Sequence, residues 1–244
     1  AQDRHLIRLL FDKSQNMARR NTLPKLLDKY FSEYRGLRSE QLAHMGKFNG
    51  NIEEMGSNFF AGIKVYPPLG FDPWPEGDEE ELIKVKYLYE YCSAKQIPIT
   101  AHCNSGGFVV LESRQARCFT APERWEKVLY NYPELILNLA HFGKQGKIYR
   151  LFPNRQWTRQ IIDMIDRFDQ LYVDFSFNGI NKKYYHQLRH YLDQCPPPLR
   201  EKLRHRILFG SDFMINLIKA ESYNQYLQIF SDTPCLSPAE QHLF

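Results

Sequence analysis

Two histidines and an aspartate, His102, His141 and Asp212, stand at or beside the ends of apolar runs in this sequence. A single histidine among apolar neighbours is ordinarily a core residue with both nitrogens satisfied. Three titratable groups at matching chain positions are different, because burying them together is costly unless a metal or a charge partner compensates. Two imidazole nitrogens and a carboxylate oxygen suit zinc or a similar divalent ion. His102, His141 and Asp212 are therefore the expected metal ligands. Lys64 is either a cation that orients an anionic substrate, a carboxylated lysine that bridges metals, or an ion-paired residue near a strand end. Asn104-Ser-Gly-Gly107 follows His102 directly and either shapes a substrate pocket, with Asn104 in contact, or simply reverses the chain. Asp174 is expected to make a structural hydrogen bond rather than do chemistry. Cys103 should point away from His102 and has no base placed to activate it. His5, His44, His186, His190, His205 and His242 lie in helical or polar surroundings, where surface or packing roles are expected.

The elements that must position these residues are five short apolar runs: 61–66, 97–102, 135–141, 171–175 and 206–212. Near-continuous apolar runs of this length fit parallel strands covered on both faces. Between them lie stretches of helical period, at 79–95 with Leu82, Val85, Leu88, Tyr89 and Cys92, at 122–130, and at 158–168 with Ile161, Ile162 and Ile165. The conspicuous polar residues Lys64, His102, His141, Asp174 and Asp212 are 33 to 39 residues apart, room for one strand–helix unit per step. The class is α/β with a parallel sheet. In a (β/α)8 barrel and in an open doubly wound sheet alike, the C-terminal ends of the strands carry the site. Residues 1–57 read as a helical N-terminal segment, with one helix over 3–20 and a second opened by Pro24 that aligns Leu26, Leu27, Tyr30 and Phe31. Residues 58–244 read as the strand-bearing part.

Composition narrows the function. The chain has 244 residues, 43% hydrophobic and 25% charged, with a net charge of +4. The basic excess is mild and spread along the chain, which gives no nucleic-acid footprint. Five cysteines without a CxxC pair fit a reducing compartment, and a cytoplasmic location is expected. No apolar run reaches the roughly 18 residues of a membrane helix, so no membrane partner is expected. The absence of a Gly-rich phosphate loop ranks a nucleotide-binding sheet last.

Gly62-Ile-Lys-Val-Tyr-Pro67, Pro98-Ile-Thr-Ala-His102, Leu139-Ala-His-Phe-Gly143 and Ile207-Leu-Phe-Gly-Ser-Asp212 resemble, in order and spacing, strands 4, 5, 6 and 8 of the amidohydrolase superfamily, and Tyr172-Val-Asp-Phe-Ser176 resembles strand 7. The likeness is greatest to the amidohydrolase-related branch with the aminocarboxymuconate-semialdehyde decarboxylase-like enzymes, and covers roughly 58–216. It implies a TIM-type (β/α)8 barrel, here a partial one without its N-terminal strands. It implies that His102 and Asp212 bind a divalent metal, zinc or manganese. His141 would be a ligand or a metal-adjacent group that polarises substrate. Asp212 would accept the proton of a metal-activated water that attacks a small-molecule amide, ester or lactone. Decarboxylation is the variant chemistry, and a non-catalytic binding relative is the alternative. The family's His-x-His pair of strand 1 is absent from the sequence, and no closing segment is evident after Leu217. Open strand edges in a partial barrel favour a homo-oligomer.

Overall fold

In the computed structural model, the described residues are 22–34, 60–148, 152–153, 155–212 and 214–244, with backbone alone for 147–148 and 152–153. The helix expected over 3–20 and most of the N-terminal segment lie outside them. The second predicted helix is present as α1 (Thr22–Phe31). It begins before Pro24 and buries Leu23, Leu27, Tyr30 and Phe31, leaving Leu26 half-buried.

Five strands form one sheet: β1 (Ile63–Val65), β2 (Ile99–Asn104), β3 (Leu137–Lys144), β6 (Leu171–Asp174) and β7 (Ile207–Leu208). Their order in space follows their order in the chain, and the β1–β2 and β6–β7 pairs are parallel. A doubly wound sheet reverses its strand order at a switch point. The absence of such a reversal among the described strands favours the barrel sector over the open sheet. A two-residue ribbon, β4 (Lys147–Ile148) with β5 (Phe152–Pro153), stands apart from the sheet. The expected α/β class and parallel sheet are thus observed.

The chain divides into two compact units. The first runs to His102 and includes Phe108–Leu137. It holds β1, α2 (Glu79–Lys95), α3 (Ser113–Thr120) and α4 (Pro122–Asn131). Helix α2 is well specified by its ends. Asp78 caps it by accepting from Glu81 N, Glu79, Glu80 and Glu81 place negative charge in its first turn, and Gln96 ends it in a left-handed conformation. Its buried Tyr89 donates to Pro73 O at 2.7 Å and packs its ring on Trp125 of α4.

The second unit comprises Cys103–Gly107 and Asn138–Phe244. It contains α5 (Gln156–Arg167), α6 (Lys182–Gln194), α7 (Pro197–Arg204), α8 (Tyr223–Ser231) and α9 (Pro238–Leu243). Helix α5 buries Trp157, Ile161, Ile162, Met164 and Ile165, the periodic face seen in the sequence. The segment after Leu217 corrects the sequence reading, because two capped helices occupy it. Ser237 and Glu240 form a capping box on α9. Glu240 is buried between Arg189 of α6 and Arg204 of α7, at 3.0 Å from each. The carbonyl of Phe244 accepts from Phe209 N beyond β7 at 2.7 Å. A closing segment made of short helices leaves only a weak periodic signal, which is why the sequence concealed it.

Candidate functional site

His102 lies in the first unit, buried in β2, with its ring stacked on Tyr66 at 4.2 Å between centroids. The Tyr66 hydroxyl accepts from Phe108 N at 3.1 Å, which ties the turn after β2 to the strand-end tyrosine. Lys64 sits mid-strand in β1, opposite Thr100 of β2, and is half-buried. A cavity of about 250 Å³ in this unit is lined by Phe71, Asp72, Glu76, Phe119 and Arg124 among others, and by none of the sequence-predicted site residues.

The second unit holds His141, Asp174 and Asp212, and builds a network round the first two. The Asp174 carboxylate is buried and accepts through Oδ1 from His141 N at 3.1 Å and from Ser176 N at 3.0 Å. Ser176 Oγ also donates to Oδ1, and Asn138 Nδ2 donates to Oδ2 at 2.8 Å. The structural role expected of Asp174 is therefore what the structure gives, and it is larger than one hydrogen bond. Asp174 holds the main chain of the histidine as well as the serine beside it.

Ser176, missed by sequence reading, fixes the chemistry of His141. Its carbonyl lies 2.9 Å from His141 Nδ1, and its Oγ lies 3.1 Å away. A carbonyl oxygen can only accept, so Nδ1 must carry the proton. The Ser176 hydroxyl gives its own hydrogen to Asp174 and turns a lone pair to Nδ1. In neutral His141 the lone pair is consequently on Nε2, the arrangement by which histidine ligands and bases are commonly oriented. A neutral ring in this tautomer accepts at Nε2, while a charged ring donates from it. Asp174 ends β6 and Ser176 lies in the turn that follows, a relation that no local sequence pattern marks.

The strand end that carries His141 is bent by three consecutive left-handed residues, His141 (φ 66°), Phe142 (φ 51°) and Gly143 (φ 63°). Such conformations cost non-glycine residues roughly 1–2 kcal/mol each and persist where surroundings over-determine them. Side chains supply that determination. Asn178 Nδ2 donates to His141 O at 2.9 Å, and Thr158 Oγ1 donates to Phe142 O at 3.0 Å. At Gly143 an added Cβ would meet Ile161 Cδ1 at 2.6 Å and the Trp157 backbone carbon at 3.1 Å, so glycine is favoured by the close approach as well as by φ.

Asp212 lies four residues past the end of the two-residue β7, also left-handed (φ 57°), and is half-buried rather than buried. Its carbonyl starts a turn by accepting from Ile215 N and Asn216 N. Asn104 ends β2, and its Oδ1 accepts from Gly106 N at 2.9 Å, an Asx turn. Cys103 is fully buried, and burial together with the Asp174 charge holds its thiol far above the usual range, as expected of an inert cysteine. Among the described residues, no three His, Cys, Asp or Glu side chains are grouped to hold a metal ion. The donor types of His102, His141 and Asp212 suit zinc or manganese, but the described residues do not by themselves constitute a metal site.

A family model described as amidohydrolase matches residues 51–244. Among solved structures, the chain is similar to an uncharacterized TIM-barrel protein from Bordetella bronchiseptica, with 18% identity, 74% of this chain and 53% of that chain covered, and a TM-score of 0.45. It is also similar to a probable 2-pyrone-4,6-dicarboxylic acid hydrolase from Acinetobacter baumannii, with 12% identity, 94% and 75% covered, and a TM-score of 0.48. A third is 2,6-dihydroxybenzoate decarboxylase, with 13% identity, 76% and 60% covered, and a TM-score of 0.45. The chain thus spans about half the length of the Bordetella protein. No curated protein matches it.

Proposed function

The chain belongs to the amidohydrolase family, and on that premise we propose that it is a hydrolase of small-molecule amides, esters or lactones with His141 and Asp212 as working side chains. The observation that carries this reading is the His141 tautomer. Nδ1 is engaged by Ser176, so in the neutral ring the proton-accepting lone pair is the one on Nε2. In the proposed reaction, water oxygen bonds to the scissile carbonyl carbon while Asp212 accepts the water proton. The bond to nitrogen or oxygen then breaks, and the proton passes from Asp212 to the leaving group. His141 Nε2 accepts a hydrogen bond from the same water and orients it. Five free cysteines support placing the protein in a reducing compartment such as the cytoplasm. No helix among the described residues is long and apolar enough to cross a membrane.

A second reading is a non-catalytic relative that binds without turnover, in keeping with the described residues gathering no three metal donors. One experiment separates the two. The full chain is assayed against chromogenic amides, esters and lactones, with zinc or manganese added and after chelation, with bound metal determined alongside. The hydrolase reading expects turnover that falls by roughly 10²-fold or more in Asp212→Asn, the usual worth of a positioned proton acceptor. Turnover equal in Asp212→Asn overturns the assigned role. No turnover of any substrate with either metal selects the binding relative, and release of carbon dioxide from an aryl carboxylate selects decarboxylation.

A further inference from the structure

Tyr66 directly follows β1, and β1 pairs with β2 in parallel, with Lys64 opposite Thr100 and Val65 opposite Ala101. The next step of that register sets Tyr66 beside His102. The two rings stack there at 4.2 Å between centroids, with their planes 23° apart. Side chains alternate across a sheet. Fully buried Val65 and Ala101 therefore take one side, and Lys64, Tyr66, Thr100 and His102 take the other. Tyr66, His102 and the 108–111 segment all belong to the first compact unit.

Tyr66 is fixed at both ends. Its main chain is extended (φ −132°, ψ 87°), and Pro67 disfavours the helical alternative for the residue before it. Pro67–Leu69 then makes a 3-10 turn, closed by Gly70 N on Pro67 O. At the far end of the ring, the hydroxyl accepts from Phe108 N at 3.1 Å. The same segment is bound twice more, by Val110 N at 3.1 Å and Leu111 N at 3.4 Å on Pro68 O. The Tyr66 ring cannot swing away from His102 without giving up the Phe108 bond. Stacking meets an imidazole on its face, whereas the two nitrogens lie on its edge. The contact thus restrains the ring plane and occupies neither nitrogen.

We propose that Tyr66 is a positioning residue that fixes the plane of the His102 imidazole and ties it to the 108–111 segment. The nitrogens of His102 then meet their partners from one fixed direction. The consequence for turnover rests on the hydrolase reading, while the clamp itself is read without any substrate. An aromatic pair and a hydrogen bond are each worth a factor of roughly 2 to 13 in an equilibrium, which sets the size of the expected effects.

The test compares Tyr66→Phe, which keeps the ring and removes the hydroxyl, with Tyr66→Leu, which removes both, in the full chain. By proton NMR, wild type should show Overhauser contacts between the ring protons of His102 and Tyr66, with the imidazole protons shifted upfield by the stacked ring. In Tyr66→Phe that shift should shrink but persist, and exchange of the Phe108 amide should quicken about fivefold. In Tyr66→Leu the upfield shift should vanish. On a substrate that wild type turns over, kcat should fall about threefold in Tyr66→Phe and about tenfold in Tyr66→Leu, with KM little changed. Absence of the ring contact in wild type, or unchanged Phe108 exchange in Tyr66→Phe, overturns the clamp. A kcat equal to wild type in folded Tyr66→Leu overturns the positioning role and keeps the hydrolase. Ring contacts and exchange as described, in a chain that hydrolyses nothing, remove the hydrolase and keep the clamp. If Tyr66→Leu does not fold, Tyr66→Phe decides, and wild-type values of both kcat and Phe108 exchange in it overturn the proposal.

Discussion

Replacement of Asp174 tests the network more sharply than any other change. Asp174→Ala removes the acceptor for His141 N, Ser176 N, Ser176 Oγ and Asn138 Nδ2. The serine hydroxyl can rotate to another acceptor and the Asn138 amide can flip. The His141 N–H cannot move without unwinding the left-handed strand end, and the Ser176 N–H is held in the turn after β6. A buried donor left unsatisfied costs roughly 1–3 kcal/mol, so two orphaned N–H groups predict a loss of about 4 kcal/mol. Asp174→Asn keeps one oxygen at the Oδ1 position for both N–H groups. Its new amide nitrogen would face Asn138 Nδ2, but a flip of Asn138 presents an oxygen instead, so the expected cost is about 1 kcal/mol. Urea unfolding of the full chain measures both. With a slope of about 2.5 kcal/mol/M, the alanine variant should lose about 1.5 M in midpoint and the asparagine variant well under half of that. Equal losses in the two variants, or an alanine variant within about 1 kcal/mol of wild type, would refute the claim that the Asp174 oxygens hold the His141 backbone.

Three further outcomes are expected. Gly143→Ala should destabilise by about 2–4 kcal/mol, from a left-handed φ and a clash with Ile161 and the Trp157 backbone, and an unfolding midpoint near wild type would contradict the tight approach. Native Cys103 should resist a disulfide reagent at pH 8 while exposed Cys118 reacts, as labelling followed by peptide mapping would show; early labelling of Cys103 would mean that its strand opens. For Glu240, burial raises the carboxyl pKa, but the Ser237 backbone N–H and Arg189 outweigh it and hold the folded value below 4.5. A depressed folded value gives stability that is present above the unfolded pKa and lost as pH falls through the folded one. Wild type should accordingly lose its advantage over Glu240→Gln between about pH 5 and pH 3, and a constant difference across that window would reject the ion-pair account.

Much of the frame was legible in the chain. The apolar runs at 97–102 and 171–175 and the periodic stretch at 79–95 became β2, β6 and α2 because continuous apolar strands and amphipathic helices each have one stable environment in an α/β sheet. The strand at 206–212 shrank to two residues, and Asp212 starts a turn instead. His141 was visible as a strand-end histidine, but its tautomer was not. The tautomer depends on a carbonyl 35 residues away, which no local pattern records. Ser176 was overlooked for the same reason, because a serine beside an aspartate is common and gains meaning only from the third partner.

The claim on which the functional account turns is that Ser176 holds the proton of His141 on Nδ1 and presents a basic Nε2. Nitrogen-15 NMR of the full chain with labelled histidine, recorded above the pH at which the imidazole is charged, reads this directly. The account predicts a protonated, pyrrole-type Nδ1 and an unprotonated, pyridine-type Nε2 for His141, with averaging of the two in Ser176→Gly, where loss of the side chain loosens the carbonyl as well. A protonated Nε2 in the wild-type protein would contradict it.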